Sequence, residues 1–246
     1  MDASEPLYNS RLTKTYVQYL HHRHPDVEVE PLLEKAGIYH YQIEDSAHWL
    51  TQDQVDRFHS ALVEATGEAD ISHHAGRFAV SSEVMGAAKQ YILGLMTPAT
   101  VYQLMEKNYP LLSRGATISA RKTGPTQVEI TATPKPGVAE KAYQCANRSG
   151  FFEAFPTLFS DAPATIEHPE CFHRGDPHCR YILTWKDSRP RFWRRVRDIS
   201  LAATLGLSAL AFFWLSPAAW GLTTFAALLA VAGCAWFGER LERRAL

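Results

Sequence analysis

Three cysteines carry the most specific chemical signal in this chain. Cys171 and Cys179 flank Gly175-Asp176-Pro177, a turn-forming run. They therefore sit on the two sides of one hairpin and can approach each other. Cys145 precedes a phenylalanine-rich segment that leads into that hairpin. Glu167, His168, Glu170, His173 and His178 are all placed to add a fourth donor. Three thiolates and one nitrogen or oxygen would make a closed tetrahedral zinc site, structural because no coordination position stays open. The competing reading is three buried thiols packing as small hydrophobes. Spacing does not decide between the two, since a seven-residue gap is not a standard zinc pattern.

Other chemistry is sparse. His21, His22 and His24 stand at the end of a helical stretch, where imidazoles are solvated or favour the helix C-terminus. His73 and His74 read as a surface turn before a helix. The chain has no Gly-rich phosphate loop, no Ser–His–Asp signature and no HExxH motif. A net charge of −1 argues against a nucleic-acid surface. Met1–Leu20 lacks the apolar core of a secretory signal, which places the thiols in a reducing compartment.

The elements that must position these residues follow from periodicity. Leu12, Tyr16 and Leu20 recur every four residues, as in a helix, and Pro31–Ala36 opens another. Thr51-Gln52-Asp53-Gln54 is a capping box, followed by Val55, Phe58 and Leu62 on one face and by Gly67 as a stop. Phe78–Leu95 reads as a long apolar helix, and Thr97-Pro98 starts the next, with Val101, Leu104 and Met105 as its stripe. The period then becomes that of strands. Ala116–Arg121 and Gln127–Ala132 flank Lys122-Thr123-Gly124-Pro125; Ala164–His168 and Cys179–Trp185 form a second pair; Gly150–Phe159 is a helix between them. Helices followed by β-β-α-β-β predict an α+β domain with an antiparallel four-stranded sheet packed with helices.

From Ile199 to Gly238, 40 residues, there is no Asp, Glu, Lys or Arg. One helix needs roughly 17–25 residues to cross a bilayer core, so this run predicts a two-helix transmembrane hairpin, near Ile199–Leu215 and Leu222–Phe237, divided at Pro217. Trp193, Trp214, Trp220 and Trp236 fall near the ends of these spans, and arginines flank the pair on both sides while the loop has none. That asymmetry puts both ends in the cytoplasm, with the hairpin in the cell's inner membrane. Residues 239–246 are strong helix formers without a C-cap, from which continuation into an output domain is expected. The expected organisation is a helical region at 1–50, the α+β domain at 51–186, a basic linker at 187–198, the hairpin at 199–238 and a cytoplasmic helix from 239.

Three stretches carry a family resemblance: Cys145-Ala146-Asn147-Arg148-Ser149-Gly150-Phe151-Phe152, Ile166-Glu167-His168-Pro169-Glu170-Cys171 and Gly175-Asp176-Pro177-His178-Cys179-Arg180-Tyr181. Together they resemble the 4-vinyl-reductase-type domain found in bacterial ligand-sensing activators of aromatic catabolism and in sensor-kinase input regions. The resemblance implies that 51–186 is a zinc-stapled, ligand-sensing domain, its zinc held by Cys145, Cys171 and Cys179, with His168 where relatives carry Glu and Glu167 as the alternate fourth ligand. It also implies an apolar ligand between helices and sheet, for which Tyr91, Tyr102, Phe151, Phe152, Phe155 and Phe159 are the candidate lining. The expected function is a membrane-anchored sensory input module for a small hydrophobic ligand, a homodimer, signalling to a histidine-kinase output and not itself an enzyme. The alternatives are a protein acting on tetrapyrroles or other hydrophobic molecules, and a membrane-tethered adaptor.

Overall fold

The structure is a computed structural model that describes residues 5–85, 96–159, 162–186 and 190–244. The chain divides into two compact units, Met1–Lys186 and Asp187–Leu246.

The first unit opens with β1 (Pro6–Asn9), which pairs antiparallel with β2 (Trp49–Thr51). Between and after them come α1 (Ser10–Arg23), α2 (Val29–Ala36), α3 (His40–Glu44), α4 (Gln52–Thr66) and α5 (Ile71–Phe78). Local rules set their ends. The Asn9 side chain caps α1, accepting from Arg11 N. Thr51 and Gln54 form the expected capping box of α4, and Gly67 closes it in the left-handed region at φ 67°. Leu20, Leu33, Ile43, Leu50, Leu62 and Ile71 are fully buried and form one helical core. The pair β1–β2 is short enough to escape the alternation test. His73 and His74 lie inside α5 and not in a turn. Of the expected Phe78–Leu95 helix, only α6 (Ser82–Met85) is described, and Phe78 belongs to α5.

The second half of this unit is α7 (Pro98–Asn108), the hairpin β3 (Ala116–Gly124) and β4 (Gln127–Pro134), α8 (Ala142–Ala154), β5 (Thr165–Glu170) and β6 (Cys179–Thr184). Thr97 caps α7 through Thr100 N, with Pro98 in its first turn. The sheet is fully antiparallel in the order β3-β4-β6-β5. This is the predicted mixed fold. Val128, Ile130 and Ala132 of β4 meet Cys179, Tyr181 and Leu183 of β6 on the buried face, under α7 and α8. Helix α8 begins well before Gly150, so Cys145 is a helical residue.

Two glycines determine how the halves join. A Cβ on Gly76 of α5 would lie 2.1 Å from Asn147 O, and one on Gly150 of α8 would lie 2.0 Å from His73 O. Backbone meets backbone where α5 and α8 cross, so any side chain there forces the helices apart.

The second unit holds α9 (Pro190–Ala211) and α10 (Pro217–Arg244). Ser208 and Thr224 hydroxyls share a 2.7 Å hydrogen bond, and Trp220 Nε1 donates to Ser208 O at 2.8 Å. Pro217–Phe237 is the one described helix long and apolar enough to cross a membrane, by length and composition. The expected pair of spans is thus not shown. The uncharged part of α9 runs from Ile199 and ends at Ala211, only about 20 Å of helix against a bilayer core of about 30 Å.

Gly150→Ala and Gly76→Ala are each expected to destabilise the first unit by about 1–3 kcal/mol through overpacking, although alanine is the better helix former. Gly206→Ala, in the second unit with open space around it, is expected to leave the first unit's stability unchanged. Denaturant titration of the three variants checks this, and an unchanged Gly150→Ala midpoint would show that the crossing is not tight.

Candidate functional site

Helix α8 serves two sites at once. Positions 145, 148 and 152 fall on one stripe by helical spacing, and all three are buried. Positions 144, 147, 148 and 151 face a cavity between the helical core and the sheet.

The cavity has a volume of about 370 Å³, within the roughly 300–1,000 Å³ range of small-molecule sites. Leu12, Val55, Phe58 and Leu62 form its wall on one side, and Met105, Phe151 and Phe152 on the other. One end is polar. Tyr143 OH donates to Asp56 Oδ1 at 2.8 Å, and Gln52 Nε2 donates to the same oxygen at 2.7 Å and to Gln144 Oε1 at 3.2 Å. His59 stacks on the Tyr143 ring, centroids 3.9 Å apart and planes at 10°. Its Nε2 is buried with no hydrogen-bond partner. Burial holds the His59 pKa down against the opposing charge of Asp56, so the ring is a neutral imidazole in an apolar wall.

Behind this wall lies the cysteine cluster. Cys145 Sγ is 3.8 Å from Cys179 Sγ, 4.0 Å from His168 Nε2 and 3.1 Å from Tyr181 OH; Cys179 Sγ is 4.0 Å from Cys171 Sγ. The four donor atoms of Cys145, His168, Cys171 and Cys179 lie within 4.8 Å of one another, close enough to converge on one metal ion. His168 stacks on Tyr181 at 4.3 Å. Glu167 is exposed on the other face of β5, as strand alternation requires, and is not among the four. Within the sulfur pair, Cys179 takes the negative charge: a hydrogen bond from Cys145 lowers its pKa most, burial opposes, and Phe172 N–H, His168 and the Arg148 charge assist. Cys145 is held correspondingly high by Cys179 and by burial.

Arg148 stands between the two sites. It is buried and ion-paired with Glu140, itself 2% exposed, while Tyr109 and Tyr181 face its charge. Of the aromatic residues expected to line a pocket, Phe151 and Phe152 do so. Tyr102 instead donates to Phe152 O at 2.7 Å and packs in the core with Phe155, against which Phe159 rests. Tyr91 lies outside the described residues. His59, Tyr143 and Arg148 were not singled out from sequence. The available signal was an imidazole inside the apolar stripe Val55-Phe58-His59-Leu62.

No protein-family model matches this chain, and no curated protein matches it. Solved structures do. An H-NOX protein from S. oneidensis in its Fe(II)NO ligation state superposes with a TM-score of 0.56 at 12% identity, covering 73% of this chain and 99% of that one. An oxygen-binding H-NOX domain related to soluble guanylate cyclases gives 0.57 at 14% identity, over 73% and 95%. A structure concerned with haem redox potential and porphyrin distortion gives 0.56 at 14% identity, over 72% and 99%. The chain has the H-NOX fold. This overturns the 4-vinyl-reductase resemblance, whose quoted motifs span only about forty residues around a helix and hairpin, whereas the H-NOX match takes in nearly three quarters of the chain. The structural zinc implied by that resemblance falls with it: the H-NOX neighbours are described with haem and Fe(II).

Because the folded-state pKa of His59 lies below the unfolded value of about 6.5, its contribution to stability is complete above that value. It is lost as pH falls from there towards the folded pKa. Replacing His59 by Phe keeps the stacking on Tyr143 and removes the titration. Wild type is expected to lose more stability than His59→Phe between pH 7.5 and 5.5 in denaturant titrations; equal losses would mean that His59 is solvated.

Proposed function

We propose that the first unit is a small-molecule-sensing domain whose ligand sits in the cavity between the helical core and the sheet. The observation that carries this reading is a largely apolar cavity whose wall includes His59, a neutral imidazole with its Nε2 buried and unpaired, within a fold shared with H-NOX proteins. Haem is the group that the fold brings into question, and the residues present fit it: a haem iron takes a neutral imidazole as axial ligand, and His59 Nε2 has no competing partner. Bound there, haem would supply an iron centre for a diatomic gas. The protein's part is to exclude water with Leu12, Phe58, Met105 and Phe151, and to orient His59 by stacking on Tyr143. Sensing requires the ligand to favour one arrangement of the domain over another. Helix α8 is the element placed to report it, since it contributes to the cavity, to the cysteine cluster and to the α5 crossing.

Titrating hemin into the purified chain and following the Soret band tests this directly. One haem per chain is expected, with the band shifted or lost in His59→Ala. A chain that takes up no haem and carries no small molecule in native mass spectrometry sinks the sensing proposal.

The second unit is proposed as a membrane anchor. The support is the 21-residue run Pro217–Phe237, with mean hydropathy 1.7 and none of its most apolar window buried; Leu222, Phe225, Leu229 and Trp236 are all more than half exposed. The full chain is expected to stay in the membrane pellet after alkaline carbonate extraction, and release into the supernatant would exclude an integral anchor.

A further inference from the structure

Among the described residues, four buried side-chain polar atoms have no hydrogen-bond partner: His59 Nε2, Arg148 Nε, His173 Nε2 and Trp185 Nε1. Two of the four, on His59 and Arg148, belong to residues of the cavity wall. A buried donor left unpaired is unfavourable until an acceptor reaches it. The Arg148 case is the more telling. Its side chain is 8% exposed, and Nη2 donates to the Glu140 carboxylate. Glu140 keeps the guanidinium from being an isolated buried charge but leaves Nε open. Arginine presents its donors as a planar fork suited to oxyanions, so one arm is used and another is free.

The charge of the lining agrees. The described wall contains two arginines, Arg11 and Arg148, and no aspartate or glutamate. Away from them and from the polar end at Tyr143 and Gln144 the surface is largely apolar, with Leu12, Val55, Phe58 and Met105. We infer that the cavity takes an apolar molecule bearing one oxyanion head, a carboxylate or a phenolate, and that Arg148 is the specificity residue that reads that head. A charge-assisted hydrogen bond in a dry site is stronger than a neutral one, so the acid is preferred over an isosteric alcohol. This rests on the cavity being the sensor's ligand site, and it adds the chemical class of the ligand. Haem propionates and free apolar acids both present such a head.

The test uses the full chain in phosphatidylcholine nanodiscs, with 1-naphthoate and 1-naphthylmethanol titrated by calorimetry against empty nanodiscs. The acid is expected to bind about tenfold more tightly than the alcohol, the value of one charge-assisted hydrogen bond. In the double variant Arg148→Met with Glu140→Gln, which leaves no unpaired buried charge, the preference should vanish while the alcohol binds as before. Equal binding of acid and alcohol by wild type, or a preference that survives in the double variant, overturns the role of Arg148 and leaves the cavity as a ligand site. Binding of neither probe and of no hemin overturns both. Hemin and its dimethyl ester, followed by absorbance, separate the sources: discrimination between them assigns a propionate to Arg148, and naphthoate selectivity without haem uptake assigns a free apolar acid.

Discussion

The contact on which the rest of the first unit depends is the crossing of α5 and α8 at Gly76 and Gly150. Ridges of side chains normally set helix packing and hold axes 8–10 Å apart. Here the nearest atoms to each glycine are backbone atoms of the other helix, so the approach is closer than any side chain allows. The consequence is positional. Helix α8 is pinned against the helical core on one side, and Cys145 and Phe152 bury on the other, against the sheet. The cavity is the space left beside this pinned helix, so its shape follows from two residues that line none of it.

Much of the fold was legible because it rests on local rules. The Thr51–Gln54 capping box, the Thr97-Pro98 start and the alternation of Val128 and Ile130 with Glu129 and Thr131 each report one element from a few neighbouring residues. The pairing of both hairpins followed from turn chemistry. The α5–α8 crossing was not legible in this way. A glycine inside a helix costs stability unless something needs the space, and what needs it here is a helix more than 70 residues away in sequence. The pair β1–β2 failed for a related reason: three or four residues are too few to show a period, and the register is fixed by contacts across α1, α2 and α3.

The candidate site divides along the same line. The cysteine cluster was readable because Cys171 and Cys179 share a hairpin and His168 follows the strand alternation that turns Glu167 outward. The cavity was only half readable. The sequence points to phenylalanines as its lining, but Phe155 serves the core, with Phe159 packed against it, and Tyr102 uses its hydroxyl to tie α7 to Phe152 of α8. The informative residues are the polar ones. His59 sits where helical periodicity asks for an apolar residue, and Arg148 sits where a buried charge is costly unless it is paired. A polar group that breaks the pattern of its own element has its reason in the tertiary structure.

Arg148 also joins the two sites electrostatically. Its guanidinium lies in the cavity wall and, from the same buried position, favours the negative form of Cys179. In a medium of low dielectric such influence reaches farther than it would in water. Glu140 pairs with the guanidinium, yet the arginine charge still favours the negative form of Cys179. The α5–α8 crossing fixes the geometry of this influence: with the two helices held backbone to backbone, Arg148 keeps its place on the buried stripe that Cys145 and Phe152 share.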